Sequence, residues 1–586
     1  MFKKAFEYVG EYKAYTYRAI VYILLGIVFS IIPYFCVYRI VDALLQHQRI
    51  TMPVLSMTIG IALVSLLLYT VLNIKGLQQS HIAAYNTLKN LRISLQGKLE
   101  RLPLGTIEEM GTGSMKKMFI DDIETLELLL AHAIPEGIGN LCIPIVIYVV
   151  MFTVDWKLAL LSLVTLPFGM LAMGIMFGIG GKQMDAYYGS AQKMNNTIIE
   201  YINGMEVVKV FNRDGESYKK FEKSVTNYRD FTLAWYKTCW PWMSIYSSLI
   251  PCIAFATLPA GAYFVLQGYS TLSHLVLILC LTFAIGGPIL RAMSFAGKFP
   301  QLSYKIEELE KMMGAAPLIQ TDDKFHGNDY SIDFKDVSFA YKEDDVLHNI
   351  SLHIQPGTMN ALVGESGSGK SSLAKLLVHF YDVKNGTIRI GNQNITKMSV
   401  EALNEQISYV SQEQFLFNMS LMENIRLGKK NASDEEVLEA AHKAQCDEFL
   451  NRIEGGIMAM AGDSGKQLSG GERQRISLAR AILKDAPIIV LDEATAFMDP
   501  ENEEKMNQAI AEVIKDKTVI VIAHRLHSIV NADCIFVLKE GYLEDAGTHN
   551  KLLSSSKEYQ KLWNIAQESA KWHVSAGGEK NDSINE

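Results

Sequence analysis

The chain has 586 residues, more than one hydrophobic core organises, so at least two domains are expected. Its net charge of −8 excludes nucleic acid as a default partner, because neutralising phosphates requires a basic surface. Hydrophobic residues make up 49% and concentrate in the first half, while the seven cysteines lack C-x-x-C spacing and read as free thiols rather than a disulfide framework or metal site.

From the N-terminus, Met1-Phe-Lys-Lys and the apolar run from Ala19 resemble a signal peptide only superficially. The run is too long and no small-residue cleavage site follows, so a retained membrane anchor is expected. Six apolar segments are long enough to cross about 30 Å of hydrocarbon: residues 19–38, 54–74, 137–154, 158–180, 241–266 and 272–294. Only Asp155-Trp156-Lys157 separates the third from the fourth, a tight hairpin whose tryptophan suits a membrane interface. Residues 75–132 carry seven Lys/Arg and residues 181–240 carry nine, whereas the opposite connections carry only Arg39, Arg49 and Lys157. The positive-inside rule then places both termini and both long connections in the cytosol of a cell whose plasma membrane holds the spans.

Those long connections mix apolar and charged residues with few breakers. They read as membrane helices continuing into the cytosol, with turns near Gly111–Ser114 and Asn212–Gly215. Prolines 33, 144, 167, 251, 259 and 288 lie within the apolar segments, where each removes a helix donor and can kink its helix. Aromatic residues cluster in the first and fifth segments, and the sequence assigns none of them to a substrate pocket.

The helical membrane domain is expected over residues 1–315, a polar, breaker-rich linker over 316–329, an α/β nucleotide-binding domain over 330–570 and a disordered polar tail over 571–586. Short β-rich runs at 331–334, 386–390, 406–410, 488–491 and 519–522 alternate with helical stretches. Within this half, Gly364-Glu-Ser-Gly-Ser-Gly369-Lys370-Ser371 completes the pattern G-x-x-x-x-G-K-[ST], with strand Asn360–Val363 before it and helix Ser372–Leu377 after it. Glycines let backbone N–H groups turn around an anion, and the helix N-terminus adds its positive dipole end. The nucleotide set is therefore Gly364, Ser366, Gly367, Gly369, Lys370, Ser371 and Ser372. Lys370 reaches the terminal phosphates and Ser371 ligates Mg²⁺. Ile488-Ile-Val-Leu-Asp492-Glu493 is a buried strand delivering two carboxylates beside that loop. Adjacent strand residues point opposite ways, so Asp492 can hold Mg²⁺ through water while Glu493 orients and deprotonates the attacking water.

Leu468-Ser469-Gly470-Gly471-Glu472-Arg-Gln-Arg475 opens a further helix and forms a second anion site. With these motifs in order, the chain resembles the ATP-binding cassette (ABC) transporters over essentially its whole length, six spans followed by one cassette. The resemblance implies that Ser469, Gly470 and Gly471 close on the ATP held by the nucleotide-binding domain of a second chain. Matched position by position, Tyr341 looks like the tyrosine that stacks on adenine and Gln412 like the glutamine that senses Mg²⁺ and water. Asp499 looks like the aspartate of the loop crossing the dimer interface, and His524 like the histidine contacting the γ-phosphate. Two departures stand out. The interface loop reads Ala496-Phe-Met-Asp499 rather than Ser-Ala-Leu-Asp, and Asp463 stands where glutamate is frequent. Neither removes a catalytic group.

One phosphate loop and one signature make half of a machine, so the resemblance implies a homodimer or heterodimer of two half-transporters using ATP and Mg²⁺. Export of a small molecule, lipid or peptide is the leading expectation. The run Thr495–Glu503 is similar to exporter-shaped proteins that import iron–siderophore complexes, which makes uptake the second. An ATP-gated channel or regulatory subunit is the alternative of a different class, and six spans exclude a soluble ABC ATPase.

Overall fold

The computed structural model describes residues 2–210, 214–341, 344–492, 510–511, 514, 517–523 and 525–571, without the side chains at 185, 214–218 and 569–571. Two compact units emerge: Met1–Glu100 with Gly111–Ala315, and Arg101–Met110 with Ala316–Glu586.

The first unit is helical. Among the described residues, five stretches are long and apolar enough to cross a membrane: Phe2–Leu45, Met52–Leu99, Leu104–Val154, Trp156–Lys182 and Leu272–Gly314. A sixth is the pair Lys219–Leu249 and Ile253–Leu266, bent by 47°. Leu63, Leu67, Phe168, Leu171 and Phe255 are all more than 60% exposed, a pattern that water would penalise and hydrocarbon does not. Four buried hydroxyls are satisfied within their own helices: Thr58 donates to Val54 O, Ser65 to Ile61 O, Thr87 to Ala83 O and Thr257 to Ile253 O. That leaves no polar atom of these side chains facing lipid unpaired.

The prolines divide into two groups. Pro33, Pro144 and Pro259 sit inside continuous helices. Pro167 and Pro288 instead sit in the first turn of helices that restart after a break, where a missing N–H costs nothing. Pro251 lies in the break of the bent fifth span. The hairpin between the third and fourth spans is a single residue, Asp155, whose carboxylate accepts from the N–H groups of Lys157 and Leu158 and caps the next helix.

Helix Met52–Leu99 has 48 residues and runs about 70 Å, well beyond one hydrocarbon thickness. It ends before Glu100–Pro103, an interruption that the expected turn at Gly111–Ser114 did not include. Gly111 marks a second break, with φ +71° inside the following helical stretch. In the other long connection, the helix Met184–Asn203 ends at Gly204, and the expected turn at 212–215 lies largely outside the described residues.

Where the fifth and sixth spans break, they touch backbone to backbone. The sixth span stops at Thr282 and resumes at Gly286. A Cβ at Gly286 would lie 2.7 Å from Pro251 Cα and 3.0 Å from the Ile250 carbonyl oxygen. We therefore expect Gly286→Ala to destabilise the detergent-solubilised protein by about 1–3 kcal/mol, the range for overpacking against atoms that cannot rotate away. Gly174→Ala, where nothing lies within 4 Å, serves as the neutral control. Thermal unfolding measures both.

The second unit holds two sheets. Strands β1 (Ile332–Ala340), β2 (Asp345–Ile354), β4 (Asn385–Ile390) and β5 (Gln393–Asn394) form an antiparallel sheet ordered β2-β1-β4-β5. Strands β3 (Met359–Val363), β6 (Ile407–Val410), β7 (Ile488–Asp492), β8 (Thr518–Ile522), β9 (Cys534–Lys539) and β10 (Tyr542–Gly547) form the other, ordered β10-β9-β3-β8-β7-β6. All its pairs are parallel except β10 with β9. Every residue of β7 is buried, as a strand covered on both faces requires.

The segment Arg101–Met110 belongs to this second unit. Leu104 N–H donates to Phe380 O (2.9 Å) and Leu318 N–H to Arg101 O (2.9 Å). Tyr381 Oη donates to Glu108 Oε2 (2.9 Å), while Gly105 packs on the Tyr381 ring so closely that a Cβ there would collide with it. Tyr381→Phe is expected to cost the unit about 1.5 kcal/mol, the worth of a hydrogen bond to a charged group, and Glu108→Gln less. Chemical denaturation of the full chain reads both.

Candidate functional site: a phosphate loop, a buried aspartate and an exposed signature helix

The phosphate loop links β3 to helix Lys370–Leu377. Gly364 has no room for a side chain, because a Cβ would run into the Leu538 carbonyl oxygen at the end of β9. Gly367 and Gly369 take φ +83° and +97°, the left-handed region that favours glycine. Lys370 is 6% exposed, and its ammonium donates to the carbonyl oxygens of Gly364 (3.0 Å) and Glu365 (2.8 Å). A cation is thus held over the cradle formed by the loop, where terminal phosphates need charge. Ser366 lies within the same loop.

Asp492 ends β7, two strands away from β3 with β8 between them. Its carboxylate is buried and shared: Ser371 Oγ donates to Oδ1 (3.2 Å) and Tyr409 Oη donates to Oδ2 (2.9 Å). A serine hydroxyl and a carboxylate meeting beside a lysine make a hard-oxygen donor pair of the kind Mg²⁺ takes with nucleotide phosphates. Burial, then the neighbouring Asp492 charge, pushes the Tyr409 phenol well above its ordinary range, so it stays a donor.

Tyr341 is 44% exposed and shares a hydrogen bond with Ser372 Oγ (3.0 Å). Its ring stands edge-on to Phe339 and Tyr381, with centroids 4.8 and 5.2 Å away. Gln412 is exposed in the loop just after β6. Nearby, a cavity of about 380 Å³ is lined by Tyr409, Gln414, Phe415, Phe417, Arg480 and Lys484. Burial pushes the Arg480 guanidinium down to about 10, and it donates to the Asn424 carbonyl oxygen (2.7 Å) and the Phe415 carbonyl oxygen (2.9 Å).

Helix Gly470–Lys484 begins with a capping box. Ser469 Oγ accepts from Glu472 N–H, and Glu472 Oε2 accepts from Ser469 N–H. Arg452 pairs with the buried Glu472 and fixes it. Ser469 and Gly470 remain exposed, and a Cβ at Gly470 would meet nothing within 4 Å. The signature therefore presents its helix start to the outside of the unit.

Glu493, Asp499 and His524 lie outside the described residues. Glu493 directly follows Asp492, and His524 comes two residues after the end of β8. The structure thus unites Lys370, Ser371, Ser372, Tyr341 and Asp492 at one loop and leaves Ser469 and Gly470 on the surface. Sequence reasoning missed Tyr409. Its strand was recognised, and a buried tyrosine needs a polar partner, but nothing in the pattern names Asp492 as that partner.

The sequence profile of the ABC transporter matches residues 347–496, and that of the ABC transporter transmembrane region matches residues 17–289. The ATP-dependent lipid A-core flippase of Legionella pneumophila (strain Paris) is 32% identical over 502 residues, with 83% of each chain covered. The chain belongs to the ABC transporter family. This ABC transporter chain is also 35% identical over 507 residues to the mycobactin import ATP-binding/permease protein IrtA of Mycolicibacterium smegmatis. That match covers 84% of the chain but 57% of IrtA, so the chain spans little more than half the length of that relative. The putative multidrug export ATP-binding/permease protein YgaD of Bacillus subtilis (strain 168) is 30% identical over 494 residues, covering 82% of this chain and 84% of YgaD.

Tyr409→Phe keeps the ring and removes the donor to Asp492. We expect the Mg²⁺ concentration for half-maximal ATP hydrolysis to rise roughly tenfold, since a hydrogen bond to a charged group contributes about 1.5 kcal/mol. Unfolding temperature should change little. Lys370→Ala, which removes the ammonium held over the loop, is the reference expected to weaken nucleotide binding.

Proposed function

We propose that this chain is one half of an ATP-driven transporter in a plasma membrane, with both termini in the cytosol, working as a homodimer or with a second half-transporter. The observation that carries this reading is the meeting of Ser371, Asp492 and the phosphate loop in a chain whose other unit is built of membrane-length apolar helices. Ser371, and Asp492 through water, would hold Mg²⁺, which would supply positive charge to the nucleotide phosphates.

This chain's own residues do the rest. The loop N–H groups and Lys370 orient the γ-phosphate. Glu493 accepts a proton from the attacking water, His524 contacts the γ-phosphate, and Gln412 lies where water and Mg²⁺ are sensed. As the water oxygen bonds to γ-phosphorus, the bridging oxygen leaves with ADP. Tyr341 supplies a ring for adenine. The exposed Ser469 and Gly470, with the half-buried Gly471, read the phosphates held by the second chain, and Asp499 serves the loop that crosses to it. ATP therefore favours the closed pair of cassettes, because that state alone gives it both sets of contacts.

Export of a small molecule, lipid or peptide is the first reading of direction, in line with flippase and multidrug relatives. Uptake of an iron–siderophore complex is the second, favoured by the 35% identity to a mycobactin import protein and by the run Thr495–Glu503.

In reconstituted vesicles, Glu493→Gln is expected to bind ATP yet lower hydrolysis at least a hundredfold and stop substrate flux. Unaltered flux in that variant overturns the pump. Accumulation of a labelled ferric chelate inside intact cells distinguishes uptake from export.

A further inference from the structure

The six apolar segments contain one Lys, Arg, Asp or Glu between them, Arg291 in the sixth. A charge within an apolar membrane segment is expensive, and it marks function by default. Among the described residues no carboxylate pairs with it. Arg291 instead lines a cavity of about 320 Å³ walled by four of the spans.

The walls of that cavity suit a particular chemistry. Ile31, Leu66, Ile143, Ile147 and Phe283 are apolar, Tyr34 and Tyr69 add two flat rings with hydroxyls, and no acidic residue takes part. The sixth span is broken beside the cavity between Thr282 and Gly286. The next residue, Gly287, leaves space along the wall, and Nη2 of Arg291, one turn further on, would lie 3.8 Å from a Cβ placed there. The guanidinium thus folds back toward the middle of its apolar segment. A snorkelling arginine would extend to the nearer end, three residues away at Ser294.

We propose that this cavity is a substrate site for an organic anion carrying aromatic and aliphatic surface, with Arg291 selecting the charge and Tyr34 and Tyr69 packing the rings. The proposal rests on the transporter reading and narrows it. A volume of about 320 Å³ lies at the small end of small-molecule sites. It suits a compact amphipathic anion, whereas a multi-chain glycolipid would leave most of itself outside.

The test uses the full chain in phosphatidylcholine nanodiscs, a neutral surface that does not itself attract anions. Two fluorescent probes of similar shape are titrated without nucleotide: the anion 1-anilinonaphthalene-8-sulfonate and uncharged N-phenyl-1-naphthylamine. Saturable binding of the sulfonate should weaken at least tenfold in Arg291→Gln and stay within about threefold in Arg291→Lys. The uncharged probe should bind all three proteins alike. Equal sulfonate affinity in wild type and Arg291→Gln, both with wild-type unfolding temperature, overturns the proposal, as does equal weakening of both probes. Because binding is read without ATP, a failure here is separate from failure of ATP hydrolysis, which is assayed on the same nanodiscs and tests the transporter reading.

Discussion

The Asp492 carboxylate is the constraint on which the nucleotide unit depends. It is buried, so it is tolerable only while both oxygens are engaged. Ser371 engages one from the phosphate-loop helix and Tyr409 the other from β6. Three elements far apart in sequence are thereby fixed at a single point. The stretch from Tyr409 leads within three residues to Gln412, so the position of the loop that bears Gln412 is tied to the same carboxylate. Any change in what Asp492 binds is felt along β6 without needing a separate device.

A different constraint governs the membrane unit. In hydrocarbon a broken helix exposes backbone groups with no water to satisfy them. The fifth and sixth spans nevertheless both break, and they do so against each other, at Pro251 and Gly286. Placing two breaks in contact shields each from lipid by the other. The break of the sixth span also borders the cavity that Arg291 lines.

Much of this was legible in the sequence because the signals are local. The phosphate loop, the strand ending in Asp492 and the serine-capped signature helix each follow from neighbours within about ten residues, and the six apolar runs need only their length. What escaped depends on contacts between distant segments. Tyr409 was visible as a strand residue, but its bond to Asp492 joins positions 83 apart. Strands β2, β5, β9 and β10 went unnoticed, although Ile350, Leu352 and Ile354 of β2 alternate with polar residues and Glu540-Gly541 follows β9 as a turn signal. The glycine at 111 was read as a break and is one, but the earlier interruption at Glu100–Pro103 was not foreseen, since docking on Phe380 and Tyr381 cannot be read from local pattern.

That docked segment has a consequence for biosynthesis. Its ten residues leave the ribosome some two hundred positions before Ala316, yet they complete a unit assembled from the later part of the chain. A cassette expressed in isolation from Ala316 onward would leave the Phe380 carbonyl, the Leu318 amide and the Tyr381 hydroxyl without their partners. A cloning boundary drawn at the linker therefore discards contacts that the second unit makes natively, and supplying the segment as a short peptide is the natural way to restore them.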